Sequence, residues 1–213
     1  MATRFFNLII LDESGSMFSI AQQAVGGANE TIQTIKSAQK NNEDQQHFIS
    51  IVTFNSDRIN ELCTCQAADT VSEFAQSDYC PNSCTPLYDA MGQSLTKLRR
   101  QVGKDDKVLV TIVTDGYENS SREFSGAAIN KLVGELKEQD WVFNYIGANQ
   151  DVEAVGKELN IDFCTDFKAC AEGTSAMFDE NNEMRCQLYG LMARKGDKAS
   201  FSFKEAARKV FKK

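Results

Sequence analysis

The residues best suited to chemistry are Asp12-Glu13-Ser14-Gly15-Ser16, which follow directly on an apolar run at residues 5–11. Such a run, ended by carboxylates and hydroxyls, predicts a buried strand that delivers polar side chains to its C-terminal tip. Open α/β sheets bind ligands at that edge. A carboxylate at 12 with hydroxyls at 14 and 16 is an all-oxygen donor set. It suits a hard cation such as Mg²⁺ better than Zn²⁺ or copper. Taken alone, the stretch has a second reading, with Ser14 or Ser16 as the N-cap of a following helix.

Two other stretches bear on that choice. Thr85-Pro86-Leu87-Tyr88-Asp89-Ala90 opens a helix-periodic segment, and residues 108–114 form a second β-rich run that ends in Asp115-Gly116. Together the three segments resemble the von Willebrand factor A domain with its metal-ion-dependent adhesion site. That family's pattern of Asp-x-Ser-x-Ser, a distant Thr and an Asp closing the fourth strand falls on Asp12, Ser14, Ser16, Thr85 and Asp115 without departure. The wording of residues 114–123 and 145–151 is similar to the stand-alone bacterial and phage members, and the resemblance spans roughly residues 4–165. It implies direct ligation by the Ser14, Ser16 and Thr85 hydroxyls, with Asp12 and Asp115 holding the ion directly or through water. The implied cofactor is Mg²⁺, with Mn²⁺ or Ca²⁺ as alternatives. The implied partner is a protein that completes the coordination with a Glu or Asp.

The elements that must position these residues follow from periodicity. Ile20, Ala24, Ala28, Ile32 and Ile35 predict a first helix, with Gly26-Gly27 allowing close approach to the sheet. Residues 48–54 and 58–65, joined by Asn55-Ser56-Asp57, predict a hairpin and an antiparallel edge. Helices are expected from Leu87 to Val102, from Phe124 to Leu136 and from Asp151 to Leu159, with Ser120 or Ser121 capping the second of these. Strands are expected at 108–114, 141–146 and 161–164, then a last helix through Met177, Phe178, Met184, Leu188 and Leu191. Beyond Lys195 the chain reads as a frayed basic tail.

Alternating strands and helices predict right-handed crossovers and a doubly wound, mostly parallel α/β sheet with helices on both faces; the order expected for its six strands is 3-2-1-4-5-6, with strand 3 as the antiparallel edge. In that order the winding reverses between strands 1 and 4, which carry Asp12 and Asp115 at their tips. Topology thus leads to the same place as the motif. Enzyme readings are weaker. The single histidine, His47, opens a strand at the wrong end of the sheet for a Ser-His-Asp triad and reads as a surface or strand-edge residue. An aspartyl-phosphate enzyme wants a second acid two residues after Asp12, where Ser14 stands, so a metal-dependent phosphohydrolase remains only the alternative. No glycine-rich phosphate loop is present. The expectation is a non-catalytic interaction module.

The 213 residues suit one α/β domain, taken as residues 1–193, followed by a basic tail at 194–213. The tail holds eight Lys/Arg against Asp197 and Glu205, leaving fifteen basic against twenty-eight acidic residues before it, a net of −13. So acidic a body disfavours nucleic acid. With no membrane-length apolar run and no signal-peptide pattern, the reading is cytoplasmic. Seven cysteines, an odd number, argue against a disulfide framework and read as reduced, buried small hydrophobes. A four-thiolate zinc site on Cys63, Cys65, Cys80 and Cys84 is the less favoured reading.

Overall fold

The computed structural model describes residues 2–193 and 202–211. Its single sheet has the order β3-β2-β1-β4-β5-β6. The strands are β1 (Thr3–Asp12), β2 (Gln45–Phe54), β3 (Ile59–Ala67), β4 (Lys107–Thr114), β5 (Val142–Gly147) and β6 (Phe163–Asp166). All neighbours run parallel except β2 and β3, which pair antiparallel. The hairpin turn between them is held by Asn55, whose Oδ1 accepts the Asp57 and Arg58 amides at 3.0 Å each.

Helices α1 (Ala21–Asn41), α2 (Leu87–Arg99), α3 (Gly126–Glu138), α4 (Val152–Glu158), α5 (Ala171–Ala193) and α6 (Phe203–Val210) cover the sheet. Alternation along β1 sorts the core. Phe6, Leu8 and Ile10 join Val108, Val110 and Ile112 of β4 and the apolar faces of α2 and α3 in one continuous cluster. On the other face the apolar residues fall into two clusters. Phe5 and Ile9 pack with Leu188 and Tyr189 of α5, while Leu11 and Val113 pack with Met177 and Phe178. Each fully buried large side chain stabilises by about 1.5–3 kcal/mol. Gly27 is required for this packing, because a Cβ there would lie 2.1 Å from the Phe178 ring. Its neighbour Gly26 faces open space.

Between those two clusters runs a polar layer. Asn7, Thr111 and Asn144 are buried on β1, β4 and β5, and α5 brings Arg185, with Asn181 beside it, to Asn7 and Thr111. Arg185, only 1% exposed, donates to Thr111 Oγ1 (2.9 Å), Asn181 Oδ1 (3.4 Å), Tyr189 Oη (3.4 Å) and Asn7 Oδ1 (3.5 Å). Tyr189 also donates to Asn7 Oδ1.

The composition of the C-terminal segment predicts a frayed end beyond Lys195, yet residues 203–210 form α6. Phe203, Ala206 and Ala207 are fully buried against the β1 and α5 cluster. Ser202 and Glu205 make a capping box. Asp140 accepts the Phe203 and Lys204 amides at 2.8 and 2.9 Å. Basic residues dominate that segment's composition, but three small or aromatic residues on one face were enough to dock it. Residues 194–201, and Lys212 and Lys213, lie outside the described part. Among the described residues no helix is long and apolar enough to cross a membrane.

Candidate metal centre

Asp12 ends β1 with its carboxylate fully buried. Oδ1 accepts the Ser14 amide at 2.7 Å, and Oδ2 accepts the Thr114 hydroxyl at 2.6 Å. Tyr79 donates its hydroxyl to the Asp12 carbonyl. Burial pushes the Asp12 pKa up to about 6; the bonds from Thr114 and Ser14 pull it back, and the charge of Asp115 adds to the rise. Glu13, given no role from sequence, is buried too, but its Oε1 accepts the Cys80 amide (2.6 Å) and the Arg58 guanidinium (2.8 Å). With Gly15 donating to the Ser83 carbonyl at 3.1 Å and Asn82 to that of Glu13 at 3.0 Å, it ties the tip of β1 to the loop that leads into Thr85.

Around this anchor the hydroxyls converge. Ser14 Oγ lies 3.1 Å from Ser16 Oγ, which donates to Asp115 Oδ1 at 2.5 Å. Asp115 follows directly on β4, and burial raises its pKa as well. A Cβ built on Gly116 would lie 3.8 Å from Ser16 Oγ and 4.0 Å from Thr85 Oγ1, so both hydroxyls border the same small space, kept open by the glycine. Thr85 is clamped by Asn119, whose Oδ1 accepts its amide at 2.8 Å and whose own amide donates to its carbonyl at 3.1 Å. Asp89, in the first turn of α2, accepts the amides of Arg122, Glu123 and Phe124 at 2.8–2.9 Å. Glu118 accepts the amides of Tyr88, Ser120 and Ser121 at 2.7–2.9 Å. These carboxylates, which the sequence reading passed over, fix the loop facing Thr85. Their signal was present as acids within a few residues of Thr85 and Asp115.

The α3 cap expected of Ser120 or Ser121 belongs instead to Ser125, whose Oγ accepts the Ala128 amide at 3.3 Å. Ser121 serves the rim, donating to Glu118 Oε2 (2.7 Å) and accepting from the Asp89 amide (3.0 Å). The helix expected from Asp151 is present, with Asp151 capping α4. Asn149 and Gln150 also donate to the Asp115 and Gly116 carbonyls at 3.2 Å each.

The donor set matches a hard divalent cation. Neither Asp12 nor Asp115 has an ion pair among the described residues. Two buried carboxylates facing a shared space without a cationic side chain leave negative charge uncompensated. The remaining donors are hydroxyls, which suit Mg²⁺. Accordingly, no group of three or more His, Cys, Asp or Glu able to hold a metal occurs among the described residues. That covers the thiolate site considered for Cys63, Cys65, Cys80 and Cys84. All seven cysteines are free; four are exposed and three half-buried, so the reading of them as buried hydrophobes is corrected. Cys63, Cys65 and Cys164 pack against the margin of the core from β3 and β6, while Cys80, Cys84 and Cys170 in loops and Cys186 on α5 face solvent. His47 is corrected as well. It is fully buried, stacked 4.9 Å from the Phe5 ring and edge-on to Tyr189, with burial and then the Arg185 charge lowering its pKa to about 3. A strand opening read as an edge proved to be under α5.

Two large apolar side chains stand exposed among the described residues, Phe18 at 76% and Tyr117 at 53%. Each lies two positions after a metal-motif residue, Ser16 and Asp115.

No protein-family model matches the sequence, and no curated protein matches it. Solved structures do. The mussel byssus proximal thread matrix protein 1, in a form described as having a zinc-occupied metal-ion-dependent adhesion motif, aligns at 15% identity and TM-score 0.58 over 87% of this chain. The match takes in 46% of the mussel protein, so the chain spans about half its length. The SpRpn10 VWA domain aligns at 11% identity and TM-score 0.58, covering 85% of this chain and 95% of that one. The vWF domain of the type V pili tip protein Mfa5 from Porphyromonas gingivalis aligns at 10% identity and TM-score 0.64, covering 94% and 100%. Sheet order, strand directions and these likenesses together give this chain the fold of a von Willebrand factor A domain.

Proposed function

We propose that the chain is a non-catalytic von Willebrand factor A interaction module that holds a divalent cation, Mg²⁺ first and Mn²⁺ or Ca²⁺ as alternatives, on Asp12, Ser14, Ser16, Thr85 and Asp115. A Glu or Asp from a protein partner completes the coordination. The observation that carries the reading is the meeting, at the point where the sheet reverses its winding, of two buried carboxylates and three hydroxyls without a cationic side chain. When bound, the cation supplies a Lewis-acidic anchor for the partner's carboxylate. The chain's own residues supply the frame: Thr114 and the Ser14 amide fix Asp12, Asn119 fixes Thr85, and Phe18 and Tyr117 offer apolar contact on the rim. The zinc-occupied motif of the mussel protein supports a divalent ion in this fold. We read residues 1–193 as the domain, with α6 from the basic segment packed onto it. Seven free thiols, four of them exposed, support a reducing, cytoplasmic setting.

The test is thermal unfolding against Mg²⁺. At a hundredfold excess over Kd the wild type gains about 2.7 kcal/mol, and Asp12→Ala gains nothing. An identical response in both proteins contradicts the site. Capture of a partner in Mg²⁺ but not in EDTA supports docking, whereas Asp12-dependent turnover of a phosphoester would favour the phosphohydrolase.

A further inference from the structure

Beside the metal residues lies a cleft of about 290 Å³ whose lining includes Leu87, Tyr88, Tyr117, Tyr145, Val155 and Glu158, with Glu118 at its wall. We propose that this cleft is a subsite for an arginine or lysine side chain of the same partner segment that presents its acid to the metal. The proposal rests on the metal-docking reading and names what else that partner must carry.

The lining is built for an aliphatic stem with a cationic head. Leu87, Val155 and the buried Tyr145 offer apolar wall for methylenes, and tyrosine faces attract a cation. Glu118 and Glu158 supply negative charge, and neither has an ion-pair partner among the described residues. Tyr88 donates to Glu158 Oε1 at 2.9 Å, and its hydroxyl pKa rises to about 12, through burial first and then the Glu158 bond and the two glutamate charges. The volume is at the lower end for a free small molecule but ample for one long side chain.

Position ties the cleft to the metal centre. Tyr117 stands two residues after Asp115, and Leu87 two after Thr85. Gln150 joins the two sites directly, accepting the Tyr145 hydroxyl at 2.9 Å and donating to the Gly116 carbonyl at 3.2 Å. Two residues span at most about 7 Å, so an extended partner segment carries its acid and its base about one to four positions apart. Such a base also answers the acidic surplus of the domain, steering the partner in.

The test uses blocked peptides carrying one Glu and one Arg separated by zero to four glycines, titrated into the ¹⁵N-labelled full chain in Mg²⁺ and again in EDTA. The Arg peptides are expected to shift the Tyr117, Gln150 and Val155 amides and to bind roughly 3- to 30-fold more tightly than the same peptides with neutral, isosteric citrulline. Glu158→Gln is expected to erase that difference. Glu158 is exposed and its amide still accepts from Tyr88, so the fold stays intact, whereas Glu118 holds the loop and is unsuited to the test. Equal binding of Arg and citrulline peptides, with Mg²⁺ dependence retained, overturns the subsite and spares the metal reading. Arg-dependent shifts in the cleft that persist unchanged in EDTA sink the metal-bridged reading and keep the cation subsite.

Discussion

Two polar clusters interrupt the apolar interior of this protein, and they are electrostatic opposites. At the C-terminal edge of the sheet, Asp12 and Asp115 meet hydroxyls with no cationic side chain among the described residues. In the layer between the two apolar clusters under α5, Arg185 meets only neutral oxygens, from Asn7, Thr111, Asn181 and Tyr189. The difference lies in what each needs from outside. The guanidinium shares its two terminal nitrogens among four neutral oxygens of its own chain, and only its Nε is left without a partner. Two carboxylates and the remaining lone pairs of three hydroxyls, by contrast, face no positive charge among the described residues. The first cluster is the one proposed as a site, and the second is a seam that joins α5 to the sheet.

The sharpest test of that contrast removes the guanidinium. Arg185→Ala leaves a cavity and takes the donor from Thr111 Oγ1 and Asn181 Oδ1, while Asn7 keeps Tyr189, and we expect a loss of about 3–5 kcal/mol. Chemical denaturation in Mg²⁺ and in EDTA should give the same loss, since the seam owes nothing to a metal. A loss that differs between the two conditions would merge the clusters into one system.

Acid should act next, and again on the seam. His47 has its pKa lowered to about 3 by burial and then by Arg185, so it folds neutral. A lowered folded pKa means that its contribution is complete above the unfolded value near 6.5 and is lost as pH falls below it. We expect stability to drop by about 1.4 kcal/mol per pH unit between pH 6 and 4 from this group. Denaturation midpoints for His47→Phe, compared with wild type at each pH, should lack that component. Parallel curves would show that the ring is protonated in the fold.

The smallest effect belongs to the edge cluster. In EDTA, Asp115→Asn removes one of two facing carboxylates, and we expect a gain of about 1 kcal/mol together with loss of the Mg²⁺ increment. If the metal-free variant is less stable than the wild type, the Ser16 bond to Asp115 outweighs the repulsion and the edge cluster is self-sufficient after all.

Much of this was legible in the chain. The continuous apolar runs of β1 and β4 could only be central parallel strands, and the residues that end them could only stand at the sheet's C-terminal edge. That is why Asp12, Ser14, Ser16 and Asp115 could be placed at that edge before any coordinates, while the alternation of elements gave a mostly parallel sheet and the strand order was supposed rather than derived. Local rules also placed the Asn55 turn and the Asp151 cap, because their partners are two to three residues away.

What only tertiary structure decided involves contacts between segments far apart in sequence. His47 reads as an edge residue until Tyr189 of α5 is laid over it, and nothing in the sequence around Arg185 shows that Asn7 of β1 and Thr111 of β4 will meet it. Phe203, Ala206 and Ala207 disappear into a segment whose composition is basic, since docking depends on one helix face and composition averages all of them. The cleft beside the metal residues is assembled from α2, α4, β5 and the loop after β4. Periodicity assigns each of those side chains to its own element's face, and the sheet's winding alone brings the three tyrosines and two glutamates to one place.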